Sequence, residues 1–127
     1  MRTSGILMHI TSLPSPYGVG TMGKTARDFV DFLAAAHQTY WQVLPLGHTG
    51  FGDSPYQCFS AAAGNPYLID LDLLIEQELL TRDEAAADFG DNPDAVDYGR
   101  LYKNRFDVLR HAARRLGDAP EFAAFCR

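Results

Sequence analysis

The first half of the chain carries two kinds of apolar spacing. The short apolar run GILMHIT, residues 5–11, precedes the proline-broken segment SLPSPYG and predicts a buried β-strand that ends in a loop. In residues 24–37, apolar residues recur every three or four positions, which predicts a helix with one buried face. These residues are Ala26, Phe29, Val30, Leu33 and Ala36. The run YWQVLPL, residues 40–46, stops at a proline and predicts a second buried strand. Strand, helix and strand together are the unit of a parallel sheet.

A long irregular segment, residues 47–71, follows the second predicted strand. Its sequence, GHTGFGDSPYQCFSAAAGNPYLIDL, is rich in Gly, Ser, Pro and aromatic residues. It is too broken for regular structure and too long for a simple connection, which is typical of a binding loop. Within it, Asn65, Pro66 and Tyr67 predict a turn, and Asp70 is placed to cap the helix that follows.

The second half of the chain has the patterns of helices. Thr81 and Glu84 have the capping-box spacing that satisfies free amides at a helix start. The acidic stretch GDNPDAVD predicts a linker before a long helix, residues 98–116, which Gly117 is placed to end. The apolar stripe of this helix is Tyr102, Phe106, Leu109, Ala113 and Leu116. Its basic residues, interpreted as a solvated helix face, are Arg100, Lys103, Arg110 and Arg114.

Composition limits the classes of protein that fit. A length of 127 residues, with 46% hydrophobic and 21% charged residues, is typical of one small globular domain or a piece of a larger one. The net charge of -5 gives no basic field, so we expect neither a nucleic acid nor a membrane as partner. No apolar run approaches the ~20 residues that cross a bilayer. Cys58 and Cys126 lie far apart without CxxC spacing, which favours reduced thiols and a cytoplasmic location.

The stretch GVGTMG, residues 18–23, satisfies the G-x-G-x-x-G pattern of dinucleotide-binding loops. Such a loop needs its first glycine directly at the end of a strand, and here Pro14 and Pro16 intervene. The pattern also requires Asp or Glu about 20 residues later to bind a ribose hydroxyl, and the second predicted strand ends in LPL, residues 44–46. The sequence argues against dinucleotide binding, and we interpret the glycines as turn residues before a helix.

Two long segments resemble a known family. HITSLPSPYGVGTMG and YWQVLPLGHTGFGDSPYQCFSAAAGNPYLIDL, in this order and spacing, are similar to the N-terminal part of glycoside hydrolase family 77, the amylomaltases or 4-alpha-glucanotransferases. The resemblance is close over residues 2–74 and looser through VDYGRLYKNRF to the end. The departures are small. Ile10 and His48 stand where proline is expected, Thr21 where an acid is common, and Cys58 where serine is usual.

The resemblance implies a fold class and a domain organisation. The fold is expected to be α/β, the N-terminal part of a (β/α)8 TIM barrel with helical insertions, and the barrel is expected to be incomplete in this chain, since a bare barrel needs roughly 250 residues. Residues 1–127 would then be an N-terminal fragment or a truncated gene product. In it, residues 1–74 supply the first strands and the substrate-binding loops, and residues 75–127 form a helical insertion. Because such barrels carry their active sites at the carboxyl ends of the strands, TSLPSP and GHTGFGDSPYQ would lie on the catalytic face.

The resemblance also implies a reaction. It is the transfer of α-1,4-glucan segments between maltooligosaccharides by a retaining double displacement, without a metal or organic cofactor. This chemistry needs two carboxylates about 5 Å apart, and the family's nucleophile, acid/base and third essential acid lie downstream of the stretch present here. The remainder of the parent chain is therefore an expected partner, and this chain alone is expected to be inactive. The alternative is a non-catalytic glucan-binding or structural fragment.

The candidate site residues are substrate contacts in the stretch DSPY. By resemblance, Tyr56 lies against a glucose ring beside the scissile bond and Ser54 offers a hydrogen bond nearby, while Asp53 and Pro55 complete the substrate-binding set. A tyrosine ring offers an apolar face to the C–H face of a sugar, and its hydroxyl can bind a sugar oxygen. The alternatives are that Tyr56 only packs the loop and that Asp53 only forms a turn. His9, inside the first predicted strand, is interpreted as a core residue or a support behind the site.

Overall fold

The first predicted strand, helix and strand form one parallel βαβ unit in the computed structural model of the chain, which describes residues 2–117 and 119–126. Strand β1, Gly5–Leu7, pairs in parallel with strand β2, Tyr40–Gln42. Helix α1, Lys24–Ala35, connects the two strands. The prediction of a parallel sheet is confirmed.

Both strands are shorter than the apolar runs that predicted them. After β1 the N–H of Ser12 donates to the carbonyl of His9 at 3.0 Å, so the backbone turns before the end of the predicted strand. After β2 the chain has no regular structure, and the carbonyl of Leu46 accepts from the N–H of Asn65 at 2.8 Å instead of from a strand. Strand pairing therefore ends where each backbone finds a different partner.

The prediction that both strands are buried is wrong. Ile6 is 39% exposed, Leu7 60% and Tyr40 61%. Side chains of a strand alternate between the two faces of the sheet, and α1 packs Phe29 edge-to-face on Trp41 with ring centroids 5.0 Å apart. The cover supplied by α1 leaves much of this small sheet open to solvent.

The predicted face of α1 is confirmed in its centre and wrong at its edges. Ala26 and Leu33 are buried and Phe29 is half-buried. Val30 is 49% exposed, because it lies at the side of the narrow stripe that meets the sheet. Ala36 is exposed, and since it follows the last residue of the helix, helical spacing no longer applies to it.

The glycines of GVGTMG shape the turn before α1, as predicted. Gly18 has φ +74°, a left-handed conformation that glycine adopts without steric cost. Gly20 lies so close to the carbonyl of Ile10 that a Cβ would overlap it. The N–H of Gly20 donates to the carbonyl of Thr11 at 3.1 Å. These contacts fold the segment back onto the end of β1.

Two predicted caps lie at the end of the irregular segment. A 3-10 turn, Pro66–Leu68, follows Asn65, whose side-chain oxygen accepts from the N–H of Tyr67 at 3.0 Å. Helix α2, Leu71–Glu76, follows Asp70, whose carboxylate accepts from a backbone N–H of the first turn at 3.0 Å. Both predictions are confirmed, because each cap depends on residues two or three positions apart.

The helices predicted for the second half are present. Helix α3, Arg82–Ala85, begins with the predicted capping box, in which Thr81 and Glu84 each accept from the other's backbone N–H. The acidic linker is irregular, and helix α4, Tyr98–Gly117, ends at the predicted glycine. A short helix α5, Pro120–Phe125, follows.

The stripe predicted for α4 is wrong by one position. The residues that α4 buries are Leu101, Arg105, Val108 and Ala112. From the predicted stripe, Tyr102 is 73% exposed and Leu116 is 37% exposed, while Phe106 is half-buried beside the core. Because the charged residue Arg105 occupies a core position, apolar spacing alone does not identify the buried face of α4.

The main core lies between the helices of the second half. Its buried residues are Val19, Tyr67, Leu71, Leu80, Ala85, Phe89, Leu101 and Val108. A smaller core lies beside the βαβ unit and consists of Ile10, Leu13, Ala26 and Leu68. The segment around residues 66–71 contributes to both cores, so it fixes the position of the loop that precedes it.

The basic residues of α4 face solvent for the most part, as predicted. Lys103, Arg110 and Arg114 are exposed. Arg100 is half-buried and pairs with the acidic linker, with Nη1 2.8 Å from Asp88 and 3.2 Å from Asp91. These ion pairs hold the acidic linker against the start of α4.

Candidate functional site

A polar cavity of about 170 Å³ lies where β1 and β2 end. Its polar lining comes from His9, Thr11, Ser12, Thr49, Asp53, Asn65 and Tyr98. Apolar surface is added by Leu44, Pro45 and Pro55. The cavity thus collects the segments after both strands, the irregular loop and the start of α4. The carboxyl ends of parallel strands are the usual place of ligand sites in α/β folds.

Within the predicted binding loop, an isolated antiparallel bridge between Thr49 and Cys58 closes residues 50–57 into a smaller loop that carries DSPY. Asp53 has φ 53°, a left-handed conformation that Asp tolerates, and its N–H donates to the carbonyl of Gly50 at 3.1 Å. The thiol of Cys58 donates to the carbonyl of Pro55 at 2.8 Å, and Cys58 is free, as predicted. These internal hydrogen bonds hold the shape of the loop.

Two of the four predicted substrate contacts lie in the wall of the polar cavity. Asp53 and Pro55 line it, and Asp53 is at the same time a turn residue. Ser54 is half-buried, and its carbonyl accepts from the N–H of Gln57 at 3.0 Å. Tyr56 is 73% exposed. Most of its ring surface is available to a ligand instead of being packed inside the loop.

His9 lies beyond the end of β1 and not inside the strand that was predicted for it. Its Nδ1 is buried and has no hydrogen-bond partner among residues 2–117 and 119–126. Burial lowers the pKa of the His9 imidazole below its ordinary value of 6.5, because desolvation disfavours the charged form. His9 is therefore neutral at neutral pH.

Tyr98 and Asn65 complete the polar wall, and sequence analysis assigned neither to the site. Burial raises the pKa of Tyr98 and the charge of Asp53 adds to this rise, whereas a side-chain hydrogen bond with Thr11 opposes it. The side-chain oxygen of Asn65 is bound to the N–H of Tyr67, so its amide N–H groups are what it can offer a ligand.

A larger cavity of about 760 Å³ adjoins the polar cavity and shares Thr49, Asp53 and Tyr98 with it. Its aromatic lining consists of Phe51, Phe59, Tyr67, Tyr98 and Tyr102. Phe51 is fully exposed and Phe59 is 77% exposed. Aromatic faces beside a polar cavity suit a ligand that has both C–H surfaces and hydroxyls.

The described residues that line the two cavities include one carboxylate, that of Asp53. Retaining glycoside chemistry uses two carboxylates about 5 Å apart. This lining can bind and orient a sugar, but it does not supply the pair. In the part of the chain that the structure describes, no three His, Cys, Asp or Glu residues are grouped so as to hold a metal ion.

Comparison with known proteins decides the family. A sequence profile described as 4-alpha-glucanotransferase, that of glycoside hydrolase family 77, matches residues 8–127. The chain belongs to glycoside hydrolase family 77. It is 52% identical to the 4-alpha-glucanotransferase of Streptococcus pneumoniae serotype 4, over 99% of this chain and 26% of that protein. It is also 52% identical to the 4-alpha-glucanotransferase of Thermus thermophilus, over 98% of this chain and 25% of that protein.

A solved structure of the family matches the fold. The amylomaltase from Streptococcus agalactiae in complex with acarbose superposes with a TM-score of 0.94 and 47% sequence identity, over 98% of this chain and 26% of that chain. The family resemblance inferred from the sequence is confirmed. The chain spans about a quarter of the length of these glucanotransferases. None of the helices within residues 2–117 and 119–126 has the length and hydropathy of a membrane-crossing segment.

Proposed function

We propose that the chain forms the sugar-binding side of a 4-alpha-glucanotransferase active site, in the first part of a (β/α)8 barrel. Its substrates are α-1,4-glucans and maltooligosaccharides. The observation that carries the proposal is the polar cavity at the carboxyl ends of β1 and β2, in a chain of glycoside hydrolase family 77. The match to an amylomaltase that was solved with acarbose supports a carbohydrate ligand.

The proposed reaction is a retaining transfer. One carboxylate attacks the anomeric carbon, a second protonates the leaving oxygen, and the hydroxyl of another sugar then opens the glycosyl-enzyme. Because Asp53 is the one carboxylate in the described lining of the two cavities, we assign the nucleophile and the acid/base to the remainder of the parent chain. The contribution of residues 1–127 is to bind and orient the sugar.

Orientation comes from the loop that carries DSPY. Tyr56 offers its exposed ring to the face of a glucose unit, and Ser54 offers a hydrogen bond nearby. Asp53 and Pro55 form the adjoining wall of the polar cavity. Because the bridge between Thr49 and Cys58 closes this loop, these groups are held in place before the sugar binds, which lowers the entropic cost of reaching the reactive geometry.

A second function is glucan binding without catalysis by residues 1–127 alone. The single carboxylate in the described lining favours it for the chain in isolation. This second function uses the same sugar site as the first but involves no glycosyl transfer.

Incubation with maltotriose separates these two functions. The intact protein is expected to convert maltotriose to glucose and longer maltodextrins, and residues 1–127 alone are not. Disproportionation by residues 1–127 above a no-protein control would contradict the assignment of the carboxylates to the remainder of the chain. Titration calorimetry with maltotriose tests the binding site itself, and no binding by the intact protein would contradict the proposed substrate.

A further inference from the structure

We infer that Gly52 is a positioning residue, whose left-handed backbone directs the ring of Tyr56 toward the sugar. The inference rests on the proposed function, because it takes Tyr56 as a sugar contact. It goes beyond that function by naming a residue outside the stretch DSPY that sets the direction of this ring.

The loop that carries DSPY consists of two β-turns in succession. In the first turn, the N–H of Asp53 donates to the carbonyl of Gly50 at 3.1 Å. In the second turn, the N–H of Gln57 donates to the carbonyl of Ser54 at 3.0 Å. The two turns follow each other directly between the two ends of the antiparallel bridge. A change in the conformation of the first turn therefore moves the second.

Gly52 occupies the third position of the first turn and has φ 91°. A positive φ at this position is typical of a type II turn, which favours glycine or asparagine there because other side chains meet the backbone. The next residue, Asp53, also has a positive φ, of 53°. Two left-handed residues in succession turn the chain just before the second turn begins. The conformation of Gly52 thus sets the angle between the two turns.

Tyr56 occupies the third position of the second turn and follows Pro55, whose restricted φ is favoured at the second position. The thiol of Cys58 donates to the carbonyl of Pro55 at 2.8 Å and holds this turn from the other side. The side chain of Tyr56 is 73% exposed, so its own packing does little to fix its direction. The direction of the ring therefore follows from the backbone, which depends on Gly52.

The surroundings of Gly52 separate the effect of conformation from the effect of contacts. A Cβ at Gly52 would meet no heavy atom within 4 Å, so a side chain there introduces no clash at this atom. Gly64, in the same irregular segment, is equally open, but its φ is not positive. A difference between the same substitution at these two glycines therefore measures the requirement for a left-handed backbone.

The kinetics of the intact protein on maltotriose test the inference. Gly52→Val places a β-branched side chain on a left-handed backbone, so the loop spends less time in the conformation that presents Tyr56, and KM should rise roughly 10-fold. The value of kcat should stay within about twofold, because a saturating sugar selects the loops that remain competent. Asn tolerates a positive φ, so Gly52→Asn should raise KM about threefold or less.

Two further variants isolate the route through Tyr56. Gly64→Val is the matched control and should leave kcat and KM within about twofold of the original values. In the Tyr56→Ala background, Gly52→Val should change KM less than about twofold, because the ring that Gly52 directs is gone.

Amide hydrogen exchange of the intact protein observes the first turn without a sugar. The N–H of Asp53 is held by the carbonyl of Gly50, and relative to its intrinsic rate this amide should exchange roughly 10-fold faster in Gly52→Val and unchanged in Gly64→Val. Gly52→Ala, whose side chain is smaller, takes the place of Gly52→Val in both measurements if the valine variant does not fold.

Each outcome has a defined meaning. A rise in KM for Gly52→Val that is small for Gly52→Asn and absent without the Tyr56 ring supports the inference. An unchanged KM in folded Gly52→Val overturns it and leaves the proposed function in place. An equal rise for Gly64→Val, or in the Tyr56→Ala background, also overturns it, because Gly52 would then not act through the ring. If the intact protein does not convert maltotriose, the proposed function falls and the inference falls with it.

Discussion

The helical part of the chain, residues 71–117, buries most of its large apolar side chains, with Tyr102 and Leu116 as exceptions, whereas the strand-and-loop part, residues 2–70, leaves many exposed. In the helical part, Leu71 and Leu101 are fully buried. In the strand-and-loop part, the large exposed side chains include Leu7, Tyr40, Phe51, Tyr56 and Phe59. Burial of apolar surface is the main source of stability, and exposed aromatic side chains are available to a ligand. Most of the exposed large apolar surface among the described residues therefore lies in the strand-and-loop part.

The polar groups do not follow this division. In the helical part, Glu84 completes the capping box with Thr81 and accepts two hydrogen bonds of 2.8 Å from Arg115. In the strand-and-loop part, the Nδ1 atoms of His9 and His48 are buried without a partner among the described residues. In α4, the Nε and Nη1 atoms of Arg105 are also buried without a partner among the described residues, so both parts contain unpaired buried polar atoms.

Arg105 joins the two parts. It is fully buried in α4, and its Nη2 donates to the carbonyls of Tyr67, at 3.4 Å, and Ile69. Its guanidinium carbon lies 5.4 Å from the ring centroid of Phe89 and 6.0 Å from that of Tyr17, within the range of cation–π attraction. Burial lowers the pKa of Arg105 to about 10, which still leaves it charged at neutral pH.

The largest expected effect is on stability, and it comes from removing the hydrogen bonds that Arg105 donates to Tyr67 and Ile69. Arg105→Ala opens a cavity and leaves two buried carbonyls without their donor, so the free energy of unfolding should fall by about 3 kcal/mol or more. Arg105→Met retains most of the volume and should lose less. Urea unfolding followed by circular dichroism measures both variants.

The matched control is Arg110→Ala in the same helix. The side chain of Arg110 is 64% exposed and pairs with Asp107 three residues earlier, so its removal should change the free energy of unfolding by about 0.5 kcal/mol or less. Equal losses for the two arginines would mean that Arg105 does not connect the two parts.

A loss of activity without a loss of stability is expected at Tyr56. In the intact protein, Tyr56→Ala removes the ring that we propose positions the sugar, and kcat/KM on maltotriose should fall roughly 10- to 100-fold, or ~1.4 to 3 kcal/mol of transition-state stabilisation. Part of the loss should appear in kcat, because a sugar held askew is a poor target for in-line attack. Tyr56→Phe keeps the ring and should lose much less.

The two variants also distinguish the ring of Tyr56 from its hydroxyl. Near-normal activity of the alanine variant would show that the exposed ring does not contact the sugar. Equal losses for alanine and phenylalanine would assign the contact to the hydroxyl. Thermal unfolding of both variants should match the original protein, since Tyr56 is 73% exposed.

The smallest effect is a pH dependence confined to the helical part. Hydrogen bonds from Arg115 lower the pKa of Glu84 to about 2 from its ordinary 4.5, and the backbone N–H of Thr81 adds to this. Because the pKa is lower in the folded state, the stabilisation is complete above about pH 4.5 and is lost as the pH falls toward 2. Thermal unfolding should therefore show a smaller fall in Tm between these pH values for Glu84→Gln than for the original protein.

The control for this effect is Glu76→Gln. Glu76 is an exposed residue at the end of α2, and its substitution should leave the acid-dependent fall in Tm as it is in the original protein. An identical fall for Glu84→Gln and the original protein would show that Arg115 does not hold the Glu84 carboxylate in its charged form.

Sequence patterns predicted the features that depend on near neighbours. Asn65, Asp70 and Thr81 all cap as predicted, because their partners are two or three positions away. The face of α4 was not predictable from apolar spacing, because Arg105 occupies a core position and Tyr102 lies outside the core. A charged residue at such a position is stabilised by backbone carbonyls and aromatic rings from distant segments, and apolar periodicity contains no sign of them.

The wall of the polar cavity was predictable in one of its segments. The family resemblance directs attention to DSPY, and Asp53 and Pro55 do line the polar cavity. His9, Asn65 and Tyr98 reach the same cavity from other parts of the chain. Their meeting depends on the pairing of β1 with β2 and on the docking of α4, so no local pattern marks them as neighbours.

The hydrogen bonds of Arg105 also bear on the order in which the chain folds. They span 38 and 36 residues along the sequence, and closing loops of that length costs chain entropy that helix formation within a segment does not. We expect the helices to form early and the segment after the binding loop to be fixed only when α4 docks on it. The proposed sugar site is then completed in a late step of folding, and by mass action a bound oligosaccharide would shift the equilibrium toward the docked state.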